Sequence, residues 1–183
     1  MNWFKKMNLP NQLTIVRILL IPIFLFFLFI TDGIFRFLPL IIFIAAAVTD
    51  TIDGYIARRD KLVTDFGKFM DPLADKLLTA AAFIAFVELR YLSSWIVILI
   101  ISREFLISGF RTIAASKGVT IAANVWGKIK TICQMVLIIA ILMDYTGSMG
   151  AVSPLINPLI IITVLITIIS GATYIYDNLK VLK

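Results

Sequence analysis

Asp50 and Asp53, followed by Asp71 and Asp75, are the side chains in this 183-residue sequence best suited to chemistry. On a helix the first two are i,i+3 neighbours and the last two i,i+4 neighbours, so each pair shares a face. The connector between them is short enough for two helices to lie antiparallel with those faces together. Four carboxylates converging in an apolar setting repel one another and resist ionising. Two divalent cations would cancel the four negative charges, and all-oxygen ligation points to Mg²⁺ or Mn²⁺ rather than Zn²⁺. Gly54, Ala57 and Gly67 lack bulk beside the carboxylates, so a flat or phosphorylated ligand could approach the backbone there. The sequence has no histidine, which removes the commonest general base and leaves carboxylate, lysine or water to take a proton. Its single cysteine, Cys133, lies in an apolar segment and excludes a disulfide framework or a cysteine-based zinc site.

The elements that must position these groups are apolar. The chain is 61% hydrophobic with a mean hydropathy of +1.01, outside the range of ordinary soluble domains. Apolar segments run over residues 13–30, 37–57, 66–86, 95–115, 125–143 and 155–174. Each approaches the ~20 residues that cross a bilayer. The expected fold is all-α, a polytopic integral membrane bundle of six transmembrane helices forming one domain over residues 1–183. Trp3 and Phe4 beside Lys5 and Lys6 predict a short N-terminal interfacial helix ahead of it. Most lysines and arginines fall towards one side, while the opposite loops carry only Arg36 and Arg90. The positive-inside rule then makes both termini and the mouth of the aspartate site cytoplasmic, in a multi-pass protein of the cell membrane. The net charge of +6 is accounted for by this bias and by attraction to anionic membrane lipids. No basic run is soluble and long enough to bind nucleic acid.

The run Asp50-Thr51-Ile52-Asp53-Gly54-Tyr55-Ile56-Ala57-Arg58, then eight residues, then Gly67 through Asp71 to Asp75, carries a family resemblance. It resembles the signature of the CDP-alcohol phosphatidyltransferases, with Asp50, Asp53, Gly54, Ala57, Arg58, Gly67, Asp71 and Asp75 all in place. The resemblance implies two metal ions held by Asp50, Asp53, Asp71 and Asp75. It further implies a CDP-diacylglycerol site formed by Asp50, Asp53, Gly54, Ala57, Arg58, Gly67 and Asp71. It gives Asp75 the catalytic role of proton acceptor, which the missing histidines favour independently. A homodimer is also implied by the resemblance alone.

Further polar residues sit in the apolar segments. Thr14 and Arg17 share a face of the first helix and could turn to the site, or Arg17 could snorkel to lipid phosphates. Arg103 and Glu104 lie mid-span, where ionisable residues face the bundle interior, and structural pairing with neighbouring helices is the expectation. Glu104, Ser108 and Arg111 form one stripe at i, i+4, i+7. Arg111, Lys128 and Lys130 could form an anion pocket beside the aspartates or be ordinary positive-inside residues; spacing alone favours the latter. A second resemblance shifts that balance. Ser102-Arg103-Glu104-Phe105 through Arg111, with Gly127-Lys128-Ile129-Lys130-Thr131 and Pro10-Asn11-Gln12-Leu13-Thr14 through Arg17, looks like the bacterial branch of the same family that uses glycerol 3-phosphate. It implies transfer of a phosphatidyl group from CDP-diacylglycerol to glycerol 3-phosphate with release of CMP. Arg111, Lys128 and Lys130 would then bind the acceptor's phosphate, with Thr14 and Arg17 as further candidates. A sister enzyme acting on inositol phosphate or serine is the nearest rival. A divalent-cation transporter is the rival of another class, but past Asp75 the third segment is apolar until Glu88, so no charged path continues outward.

Orientation is directly checkable. A reporter fused at Lys183 should read as cytoplasmic and one inserted near Gly147 as external; reversed labelling would contradict the charge bias.

Overall fold

The computed structural model describes the backbone of residues 9–30, 33–59, 65–119, 121, 124–147 and 152–178; side chains are described for these residues except 9–11, 34, 50–59, 65–69, 71, 72 and 75. The expected interfacial helix before residue 9 and the connector 60–64 lie outside the described residues. Within them the protein is all-helical: α1 Leu9–Ile30, a short 3-10 helix Gly33–Phe37, α2 Leu38–Arg59, α3 Asp65–Glu88, α4 Ser94–Ser116, α5 Val125–Tyr145 and α6 Ser153–Asn178. Each expected apolar segment corresponds to one α-helix, and most run a few residues longer. Among the described residues three helices are long and apolar enough to cross a membrane: Gln12–Ile30, Val125–Tyr145 and Ser153–Asn178. The other three include acidic and basic residues, confined in α2 to its last ten positions.

The chain forms two compact units, Met1–Ala85 and Phe86–Lys183. In the first, α1 packs against α2. The buried residues of α1 are Thr14, Arg17, Phe24 and Leu28, a stripe at helical spacing. Those of α2 include Phe43 and Ala46, and the Phe24 and Phe43 rings meet at 6.0 Å with a tilt of 50°. Ala74, Leu78, Ala82 and Ala85 make the corresponding stripe of α3. Pro22 lies inside α1, where it removes one backbone hydrogen bond without ending the helix.

In the second unit α6 packs against both α5 and α4. Its buried stripe is Ile156, Thr163, Thr167, Ser170 and Tyr174. The Thr167 hydroxyl donates to the Thr163 carbonyl at 2.7 Å and the Ser170 hydroxyl to the Thr167 carbonyl at 3.0 Å. These small side chains are satisfied within their own helix and leave a narrow surface on which a neighbouring helix can sit closely, as in membrane bundles generally. α5 answers with Leu137, Ile138, Ile141 and Leu142. Asn124 caps α5 by accepting from Trp126 N–H at 3.3 Å. Gly118, at φ +73, turns the chain after α4.

Asp144 and Tyr145, just past the expected apolar segment 125–143, are the last residues of α5. A carboxylate is disfavoured at a helix C-terminus by the helix dipole. Here it accepts hydrogen bonds from the Tyr91 hydroxyl at 2.9 Å and from the Ser153 hydroxyl, joining the start of α6 and the segment before α4 to the end of α5.

Removing the Phe24–Phe43 contact tests the first unit. Phe43→Ala should lower the thermal midpoint in detergent by an amount corresponding to about 3–5 kcal/mol, the usual range for a buried phenylalanine. Phe29→Ala, at an exposed position of α1, should leave it near that of the parent.

Candidate active site

The backbone places the acidic signature on two successive helices. Asp50, Asp53, Gly54, Ala57 and Arg58 occupy the last turns of α2, and Gly67, Asp71 and Asp75 the first turns of α3. Asp50 and Asp53 are separated by about 4.5 Å of helical rise, and Asp71 and Asp75 by about 6 Å. The side chains of these eight residues lie outside the described residues. Both runs are helical in backbone, as the sharing of a face requires.

Thr14 and Arg17 are both fully buried on α1. Arg17 therefore does not extend to lipid phosphates; its guanidinium is held inside the first unit, three residues from Thr14 on the same face.

The remaining candidates belong to the second unit and are not gathered in one place by direct contact. Arg111 is exposed; its Nε donates to the Tyr174 hydroxyl of α6 at 3.2 Å, and its guanidinium carbon lies 5.8 Å from the Tyr174 ring centroid. Tyr174 is 3% exposed and stacks edge-on against Phe110, with centroids 5.9 Å apart. Tyr174 thus fixes where Arg111 sits. In the sequence it reads as a tyrosine at the end of a span, and nothing in its spacing marks it as the partner of Arg111.

Lys128 and Lys130 separate. Residues two apart on a helix do not face each other, and the structure exposes Lys128 while leaving Lys130 4% exposed. Lys130 Nζ donates to Glu104 Oε1 across from α5 to α4. The same oxygen accepts from Arg103 Nη1 at 3.3 Å. The expected pairing of Glu104 with a neighbouring helix is therefore observed, while Arg103 pairs with Glu104 on its own helix. The Ser108 hydroxyl, on the same stripe as Glu104, donates to the Glu104 main-chain carbonyl at 2.6 Å. Gln134, one turn beyond Lys130, is 3% exposed, and its Nε2 has no hydrogen-bond partner among the described residues.

Two basic groups thus have exposed positions, Arg111 and Lys128, and a third is enclosed and ion-paired. Charged donors of this kind suit an oxyanion with several acceptors, such as a phosphate monoester.

Comparison with known proteins gives a family to this arrangement. The family model described as CDP-alcohol phosphatidyltransferase matches residues 7–170. A protein of Bacillus subtilis named CDP-diacylglycerol--glycerol-3-phosphate 3-phosphatidyltransferase is 41% identical, over 96% of this chain and 97% of its own. One of the same name from Rickettsia typhi is 38% identical over 91% and 94%. A Mycobacterium tuberculosis protein named probable phosphatidylglycerophosphate synthase is 34% identical over 94% and 82%. The match spans both units and takes in the acidic signature of α2 and α3, so the chain belongs to the CDP-alcohol phosphatidyltransferase family.

Proposed function

We infer that this protein transfers the phosphatidyl group of CDP-diacylglycerol to glycerol 3-phosphate, releasing CMP and phosphatidylglycerophosphate. The observation that carries the reading is the near-full-length similarity to relatives named for that reaction, in a chain that keeps all eight signature residues. The apolar helices fit a lipid-borne donor whose acyl chains remain in the bilayer while its headgroup reacts.

Bonds change as follows. The acceptor's hydroxyl oxygen attacks the phosphatidyl phosphorus, the bond from that phosphorus to the CMP oxygen breaks, and the hydroxyl proton passes to Asp75. The donor set of four carboxylates suits two Mg²⁺ or Mn²⁺ ions, held by Asp50, Asp53, Asp71 and Asp75. Such ions supply charge neutralisation for the pyrophosphate and the departing CMP. Gly54, Ala57 and Gly67 leave the backbone accessible to the cytidine end, with Arg58 near its phosphate. Arg111, Lys128 and Lys130 receive the phosphate of the acceptor, with Thr14 and Arg17 of α1 as further candidates for that role.

The finer architecture in this reading is one membrane domain of six spans with an interfacial helix before α1. Both termini and the site mouth face the cytoplasm, where glycerol 3-phosphate is found, and the working protein is a homodimer. The charges of α2, α3 and α4 belong in this reading to the site and to its ion pairs.

Excess chelator should abolish CMP release by purified protein, and Asp50→Asn or Asp71→Asn should do so while leaving the thermal midpoint in detergent nearly unchanged. Full activity in EDTA would overturn the two-ion reading. Arg111→Ala or Lys128→Ala should lower kcat/KM for glycerol 3-phosphate roughly tenfold or more, the usual weight of hydrogen bonds to charged groups. The KM for CDP-diacylglycerol should move far less. Equal losses for both substrates would return these residues to a purely topological role.

A further inference from the structure

The last turns of α6 hold the two helices that carry Arg111 and Lys128. Arg111 of α4 donates through Nε to the Tyr174 hydroxyl at 3.2 Å. One turn further on, Asp177 Oδ2 accepts from the side-chain amide of Asn124, the N-cap of α5, at 3.4 Å. Tyr174 and Asp177 are i,i+3 neighbours, on one face of α6 and about 4.5 Å apart along its axis. The Asn178 side-chain amide donates back to the Tyr174 carbonyl at 2.8 Å and closes this end of the helix.

Asn124 is engaged on two sides. Its Oδ1 accepts from the Trp126 N–H at 3.3 Å, and its main-chain carbonyl accepts from the Gly127 N–H at 3.0 Å and the Lys128 N–H at 3.4 Å. Lys128 therefore sits in the first turn that Asn124 starts. Capping alone is served as well by aspartate. An amide, unlike a carboxylate, still has donors once its oxygen has capped the helix, and here Nδ2 places one on α6. Lys128 is exposed and makes no ion pair among the described residues, so the reach of its ammonium follows from the turn that carries it.

We propose that Asn124 is a positioning residue for the acceptor's phosphate: by clipping the start of α5 to Asp177, it sets Lys128 at a fixed spacing from Arg111, which Tyr174 holds to the same end of α6. The proposal rests on the functional reading above, in which Arg111 and Lys128 touch that phosphate. Neither Asn124 nor Asp177 touches it. A phosphate shared by two cations is sensitive to their separation, because charge-assisted hydrogen bonds are short and geometrically specific. The liponucleotide is held by other groups and should be spared.

The test follows CMP release by the full-length protein with each substrate varied in turn, alongside thermal midpoints. Asn124→Asp keeps the cap and removes the donor, while Asp177→Ala removes the acceptor. Each should raise the KM for glycerol 3-phosphate about threefold, the scale of one modest hydrogen bond, and leave that for CDP-diacylglycerol nearly unchanged. These variants alter the local charge in opposite senses, one adding a negative charge and the other removing one. A direct effect of charge on the anionic acceptor would therefore raise the KM in the first and lower it in the second. Combining Asn124→Asp with Asp177→Asn exchanges donor and acceptor, restores both the contact and the total charge, and should recover the parental KM. In a Lys128→Ala background, Asp177→Ala should add nothing, as expected when one residue works through another.

The proposal is overturned if the two single variants move the acceptor KM in opposite directions, if both KM values rise together, or if the exchanged pair fails to recover the parental value. It is also overturned if Asp177→Ala still raises the acceptor KM without Lys128, or if the single variants lower the midpoint and leave that KM unchanged, because the clip would then be structural only. Should Asn124→Asp fail to fold, Asp177→Ala, at an exposed position near the end of α6, decides the matter: a rise confined to the acceptor KM supports the proposal and an unchanged value overturns it. Failure of the functional reading looks different: the parent protein would release no CMP in response to glycerol 3-phosphate.

Discussion

Hydrocarbon offers neither hydrogen bonds to backbone nor solvation to charge, and both consequences are visible in this chain. Backbone amides and carbonyls must be satisfied within the segment that carries them, which leaves helices as the workable element for an apolar sequence of this kind. Hydroxyls follow the same rule: Ser108, Thr167 and Ser170 each donate to a carbonyl of their own helix. Ionic groups pair within a helix, as Arg103 does with Glu104, and also link one helix to another. Lys130 joins α5 to α4 through Glu104, and Arg111 joins α4 to α6 through Tyr174.

Those links also explain how apolar helices can be packed in a defined register. Between apolar surfaces in lipid there is little hydrophobic preference for one alignment over another, and association depends on close packing and polar contacts. The hydroxyl-bearing surface of α6 permits close approach. The ion pair and the Arg111–Tyr174 contact select which turn of each helix meets which. At the end of α5, Asp144 does the same with Tyr91 and Ser153.

The helices were legible in the sequence because apolar length is a direct signature of the solvent they meet. The acidic signature was legible because helical spacing converts residue numbers into shared faces, and α2 and α3 are helical across it. Asn124 and Gly118 behave as their types suggest. Contacts between distant segments were harder to read. The sequence of α4 marks Glu104 as mid-span and in need of a partner, but not that Lys130, rather than Lys128, supplies it; this depends on the rotation of α5. Tyr174 carries no sign of its bond to Arg111, since a tyrosine near a helix end is ordinary. The place of Asp144 at the end of α5 was not legible either, because the donors that hold it, Tyr91 and Ser153, come from other parts of the chain.

Gly171 links two positions that lie far apart in the chain. Arg103 can lie along α6 because residue 171 has no side chain, with its Cγ only 3.3 Å from where a Cβ would be. Over evolutionary drift the two sites are therefore not independent. A shorter residue at 103 would free position 171 to acquire a side chain, and that side chain would then obstruct the return of an arginine. The order of substitutions matters: an alanine at 171 asks the Arg103 stem to give by a few tenths of an ångström, and a larger side chain there competes for the space of that stem.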